Sequence, residues 1–156
     1  MKSRSKAMAG MLALLTILSS AGCSKLKARD EMNKGVRSFK DSKYETAVEH
    51  FKAAVDLDPE LTNAHLYLAA AYASQYQPGG DSPENKRIGE EAIKAYENVL
   101  LKDPANVGSV SGIAGIYFNM KNFAKAKEYY KKRTELEPNS PEPFYSIGNV
   151  NWILCY

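Results

Sequence analysis

Chemistry would need a nucleophile, a metal cage or an acid–base pair, and few residues here could supply one. The 156 residues include two histidines, His50 and His65, and two cysteines, Cys23 and Cys155. Neither histidine has a carboxylate or cysteine companion at ligand spacing, so each reads as an ordinary helix histidine. Cys155 stands between Leu154 and Tyr156, which offer no positive charge to favour a thiolate, and reads as a small packing residue. Gly108, Gly112 and Gly115 have the wrong spacing for a phosphate loop, and no Lys-Ser/Thr pair follows them. His-Glu-x-x-His, Cys-x-x-Cys and Gly-x-Ser-x-Gly motifs do not occur. The chain therefore reads as a non-enzyme with no cofactor and no metal, and the search moves from chemistry to surfaces.

Cys23 has a setting of its own. Lys2, Arg4 and Lys6 form a basic start, and Met8 to Leu18 is apolar apart from Gly10 and Thr16. The small residues Ser19, Ser20, Ala21 and Gly22 follow. This is the layout of a secretory signal peptide over residues 1–22, too short for a comfortable membrane span. The Ser-Ala-Gly-Cys ending resembles the lipobox of bacterial lipoproteins, with one departure, Ser20, where that family prefers Leu. The resemblance implies lipidation of Cys23, a short tether over 23–27, and a chain anchored in a bacterial membrane facing the periplasm. Ser24, where an Asp would suggest inner-membrane retention, tilts the expectation toward the outer membrane. Without the three signal-segment charges, the 21 basic residues fall to 18 against 18 acidic ones, so overall charge gives no argument for nucleic acid. With Cys23 carrying lipid, Cys155 has no intramolecular disulfide partner.

Beyond the tether one spaced pattern occurs three times: Ala47, Phe51, Ala54, Pro59; Ala92, Tyr96, Val99, Pro104; Ala126, Tyr130, Arg133, Pro138. The last two prolines are 34 residues apart and the first two 45, which is the same period plus an 11-residue insert. A period of this size marks a repeat array whose units bury their apolar faces only by stacking. Helical patterns fill the intervals at 33–40, 44–57, 62–76, 83–101, 107–120, 123–136 and 141–154, and no stretch alternates with period two.

These residues resemble tetratricopeptide repeats. The eighth position of each unit is small (Gly35, Ala69, Ala114, Gly148), the twentieth is alanine, the twenty-fourth aromatic and the thirty-second proline. Small residues let helix axes approach, aromatics fill the gap to the next pair, and proline ends the second helix. The resemblance implies an all-α fold, a right-handed α-solenoid of antiparallel helix pairs with three units and one further helix. The units run over about 28–61, 62–106 with the insert, 107–140 and a half-repeat 141–156, making 28–156 one domain. The insert carries the turn-rich Pro78-Gly79-Gly80-Asp81. Ser82 and Pro83 then look like an N-cap and first helical residue, so the helix after it should start early and run about a turn longer. Such a loop is either a binding determinant or a harmless decoration. Ser140-Pro141-Glu142 reads as the same cap chemistry. The lysine-rich run 121–133 reads as the solvated face of a helix, or as a local anionic contact.

In this family first helices line the concave groove. The matching positions here include Met32, Val36, Phe39, Asn63, Leu66, Ser74, Ser111, Phe118, Asn119, Tyr145, Asn149 and Trp152. The subgroup that clamps a chaperone's terminal carboxylate uses Lys, Asn, Asn, Lys and Arg where this chain has Met32, Val36, Tyr67, Gly108 and Gly112, so that clamp is not expected. An apolar groove suits an extended or helical peptide, with Phe39, Phe118 and Trp152 as anchors or as packing residues between units. The last helix is apolar for a terminal one, with Phe144, Tyr145, Ile147, Trp152, Ile153 and Leu154. Either the chain continues, or this face docks a partner or a second copy. The implied function is an envelope adaptor holding another protein or peptide near the membrane. The alternatives are a self-associating module and the N-terminal part of a longer envelope protein.

Overall fold

The computed structural model describes residues 23–155, and every regular element among them is an α-helix. The expected signal segment, 1–22, lies outside the described residues. Helix α1 occupies 23–40. It is followed by α2 (Tyr44–Leu57), α3 (Thr62–Gln75), α4 (Pro83–Lys102), α5 (Val107–Asn119), α6 (Phe123–Leu136) and α7 (Glu142–Cys155). The segment 23–27 is therefore part of α1 and not a separate tether. Its Lys25, Leu26 and Lys27 are strong helix formers, and the adjoining Ala28 is fully buried, which docks the segment. The last helix opens at Glu142, one residue later than the cap pattern at Ser140 suggests.

Helices α2 to α7 each pack on their neighbours in sequence, α1 meets α2 through Gly35 against Phe51, and α3 also approaches α5 directly, without a corresponding approach of α2 to α4. First helices thus form the tighter inner layer of an all-α solenoid, and second helices the outer one. The core runs from α2 to α5 around Phe51, Leu68, Tyr72, Ile93, Tyr96, Ile113 and Ile116. Aromatic rings of the second helices rest directly on glycine. A Cβ on Gly35 would lie 2.6 Å from Phe51 Cε1, and one on Gly112 would lie 2.6 Å from Tyr96 Cε2. The Phe51 ring also stacks on Tyr67 of the next unit, with centroids 5.5 Å apart.

Burial thins toward the C-terminus. Helix α6 buries Ala126, and α7 buries Pro143 and Val150. Polar staples supplement packing at this joint. Arg133, in the place of the buried Ala54 and Val99 of earlier units, donates from Nε to Glu137 at 2.9 Å and from Nη2 to Glu142 at 2.6 Å. Lys127 donates to Asn151 Oδ1. The lysine-rich run is therefore partly a fastening for α7 and not only a solvated face.

The turns within units show two solutions to one problem. Ser42 and Lys121 both have φ of 59°. Around them Lys43 N donates to Ser38 O and Asn122 N to Tyr117 O, each at 2.9 Å, the bond that closes a helix through a left-handed residue. Phe39 and Phe118 lean edge-on against Tyr44 and Phe123, at 5.3 and 5.6 Å between centroids, and so brace these turns. The middle unit has the insert instead. Gly79 has φ of 80°, Pro78 precedes it, and Gly80 N donates to Gln77 O at 3.0 Å, a type II turn. One buried side chain fastens that turn to α4. Asn85 Oδ1 accepts from Gln77 N at 2.7 Å, and Asn85 Nδ2 donates to Gln77 O and Gly80 O, both at 2.8 Å. Ser82 Oγ caps the helix by accepting from Asn85 N at 3.1 Å. Helix α4 reaches 20 residues, against 14 for α2 and α6.

Two stability predictions follow from these turns. Ser42→Gly and Lys121→Gly relieve a left-handed strain of about 1 kcal/mol each, so both raise the midpoint of thermal unfolding by a few degrees. A fall in midpoint contradicts this. Asn85→Ala orphans Gln77 N and Gly80 O and leaves Gln77 O with Gly80 N alone, costs about 2–3 kcal/mol, and speeds amide exchange over 77–82 by tenfold or more. Unchanged exchange over 77–82 contradicts the role of Asn85.

Candidate partner-binding surface

The side chains read as groove-lining divide into three sets. Met32, Val36, Phe39 and Leu66 are half-buried against the core, so each shows only one flank to solvent. Asn63 and Ser74 on α3 are exposed, while Ser111, Phe118 and Asn119 on α5 are half-buried. The direct approach of α3 to α5 sets these two helices side by side in the inner layer. Tyr145, Asn149 and Trp152 gather on α7, where they line a shallow groove of about 670 Å³ with Pro141, Phe144 and Gly148. Gly148 corresponds to Gly35, yet a Cβ there would meet nothing within 4 Å among the described residues.

A second cleft, of about 620 Å³, lies at the insert edge. Tyr76, Gly79, Gly80 and Asp81 form one side, α4 the floor, and Asn119 to Asn122 with Lys125 the other side. Its wall is apolar at Ile93, Tyr117 and Met120. Its rim carries Lys86, Lys94, Lys121 and Lys125 against Asp81, Glu90 and Glu97. Lys125 sits over the Tyr117 ring, 4.9 Å from its centroid, and Lys86 lies 4.0 Å from Asp81. Beside it, burial and then Glu97 push the Tyr129 hydroxyl up to about 12. Sequence reading singled out the insert but not this cleft, whose two sides come from different units. Only Asn119 of the expected groove residues borders it.

The histidines differ from their sequence reading in their partners. His50 Nδ1 is 2.8 Å from Glu31 Oε2, joining α2 to α1 across 19 residues, a carboxylate that local spacing does not reveal. Lys34 and then His50 hold the Glu31 carboxyl below its usual range. His65 is buried, and its Nε2 donates to Pro59 O at 3.0 Å. Lys102 Nζ donates to the same carbonyl at 2.9 Å and pairs with Glu60, also at 2.9 Å, tying the end of α4 to the α2–α3 turn. No group of three His, Cys, Asp or Glu able to hold a metal occurs among the described residues. Cys23 and Cys155 are both exposed free thiols. No helix among the described residues is long and apolar enough to cross a membrane.

Comparison with known proteins agrees with this geometry. The profile described as TPR repeat matches residues 37–75, and the one described as Tetratricopeptide repeat matches 89–145. Hsp70-Hsp90 organizing protein 2 of Arabidopsis thaliana is 31% identical over 113 residues, 72% of this chain and 18% of that protein. Tetratricopeptide repeat protein 8 of Mus musculus is 31% identical over 106 residues, 68% of this chain and 18% of its own length. The chain thus spans about a fifth of these curated relatives. Among solved structures, the first TPR of Spaghetti (RPAP3) bound to an HSP90 peptide aligns with a TM-score of 0.67 at 21% identity, covering 85% of this chain and 96% of that one. The Yersinia enterocolitica type III secretion chaperone SycD, in complex with a peptide of the translocator YopD, aligns with a TM-score of 0.65 at 18% identity, covering 80% and 92%. At these identities the structural likeness concerns the fold alone. The two profiles lie on the stacked helix pairs and together span more than half of the residues, and the chain belongs to the tetratricopeptide repeat family.

Proposed function

We propose that this protein is a lipid-anchored adaptor of the bacterial cell envelope, facing the periplasm, that holds a peptide or protein segment on its inner layer and does no chemistry. The observation that carries the reading is the inner layer itself, where α3, with Asn63 and Ser74 exposed and Leu66 half-buried, lies beside α5, with Ser111 and Phe118 half-buried. An extended segment laid across them meets hydrogen-bonding groups and apolar flanks alternately. Two structural neighbours hold peptides, from HSP90 and from YopD, which supports this use of the fold. Recognition of a terminal carboxylate is not part of the proposal. The positions that would clamp one hold Met32, Val36, Tyr67, Gly108 and Gly112, none of which carries a charge.

The anchor is Cys23, exposed and preceded by Ser20-Ala21-Gly22, and Ser24 favours the outer membrane. Multiple acyl chains on that residue would give stable attachment. A second reading, self-association through α7, is favoured by the exposure of Phe144 and Tyr145 and by the open space at Gly148. A third is that the chain is the N-terminal part of a longer envelope protein whose activity lies beyond residue 156.

Metabolic labelling with an alkyne fatty acid should tag the native chain and leave Cys23→Ser untagged; label on both or on neither contradicts the anchor. Photo-crosslinking side chains placed at Asn63 and Ser111 should give adducts in the intact envelope, while the same group at Lys52 or Glu128 on the outer layer gives none. Adducts confined to the outer layer overturn the groove, and adducts between two copies at α7 favour self-association.

A further inference from the structure

We infer that the first turns of α1 form a contact surface for anionic lipid headgroups, which holds the domain in one orientation on the bilayer. This rests on the lipid-anchor reading and adds to it a fixed geometry. Because 23–27 is helical, no flexible tether separates Cys23 from the folded domain, so whatever holds Cys23 also positions α1.

At 100° per residue, buried Ala28 and Gly35 mark one face of α1, and Leu26 falls on the opposite side. Its side chain is correspondingly 71% exposed. Arg29 and Lys25 flank it on one side, Cys23 and Lys27 on the other, and all four are exposed. From Cys23 to Arg29 there are three cations and no anion. The first carboxylates in the chain direction are occupied: Asp30 pairs with Lys34 at 2.8 Å, and Glu31 with Lys34 at 2.7 Å and His50 at 2.8 Å. An exposed apolar residue flanked by three cations, one turn from a membrane anchor and with the carboxylate on the same face, Asp30, paired to Lys34, has the chemistry of an interfacial contact with acidic lipid.

The remainder of this end of the stack has the opposite sign. Antiparallel pairing brings the starts of first helices together, and Lys25 accordingly lies within electrostatic reach of Glu60 in the α2–α3 turn. That turn carries Asp58 and Glu60, the next Asp103, and the last Glu137 and Glu142; Lys102 pairs with Glu60 and Arg133 with Glu137 and Glu142, so the five carboxylates of these turns still outnumber the two cations that pair with them. An anionic surface therefore attracts the α1 end and repels the later turns, so the stack leans away from the bilayer beyond its first unit.

The test is hydrogen exchange on the full acylated chain in two sets of vesicles, phosphatidylcholine alone and phosphatidylcholine with phosphatidylglycerol. Amides 24–29 should exchange several-fold more slowly with phosphatidylglycerol present, and the difference should vanish in high salt or in Lys25→Glu/Lys27→Glu/Arg29→Glu. Leu26→Ser should reduce it while preserving its salt dependence, and neither variant should alter exchange in α3 to α5. Equal exchange in both vesicle types, or new protection at the 58–61 or 103–106 turns instead, overturns the inference. Failure of the anchor reads out separately, as a chain that carries no acyl group and does not associate with phosphatidylcholine vesicles. The processed chain on phosphatidylglycerol vesicles then decides the contact alone by the same amides.

Discussion

Everything in this molecule depends on how closely neighbouring helices can approach. Phe51 can lie across α1 only because Gly35 has no side chain, and Tyr96 can lie against α5 only because Gly112 has none. Once seated, the Phe51 ring also stacks on Tyr67 of the next unit, while the Tyr96–Gly112 contact is itself between units, so these aromatics set both the approach within a pair and the distance between pairs. The stack is therefore assembled from nearest-neighbour contacts, with an inner layer whose outward atoms are left for a partner.

The same logic explains where the structure tolerates departures. The insert in the second unit lies at the edge, beyond the helix crossings, and a single amide, Asn85, satisfies its turn. It encloses a cleft without disturbing the stack. At the other end, α6 and α7 meet over few buried residues, and Arg133 bridges two glutamates where earlier units bury Ala54 and Val99. The C-terminal joint is the one most reliant on charge, and α7 exposes the face that α1 covers with α2.

Much of this was legible from residue spacing. Small, aromatic and proline positions located the helix pairs because each reflects a steric demand that recurs in every unit. The capping role of Ser82 was legible too, because capping is local. Contacts between units were not: Glu31 with His50, Lys102 with Pro59 and the two sides of the insert cleft join residues whose separation no periodicity encodes. The helical state of 23–27 was not legible because Leu26 is the one large apolar residue in the segment and shows no period, although Lys25, Leu26 and Lys27 are good helix formers. Phe39 and Phe118 show the limit for the candidate groove. Their spacing places them on the inner layer, while the structure also gives each a bracing contact with Tyr44 or Phe123, which spacing alone does not distinguish from an open anchor.

The central claim is that contact between glycine and an aromatic ring sets the stack, and a double-mutant cycle on Gly35 and Phe51 tests it most directly. With Phe51 present, Gly35→Ala forces a Cβ to within 2.6–3.0 Å of three ring atoms and should destabilise the chain by about 2 kcal/mol in urea unfolding. In a Phe51→Ala background the ring is gone, and the same substitution should be neutral or stabilising by up to about 1 kcal/mol, as expected for alanine in a helix. An equal loss in both backgrounds would contradict the account.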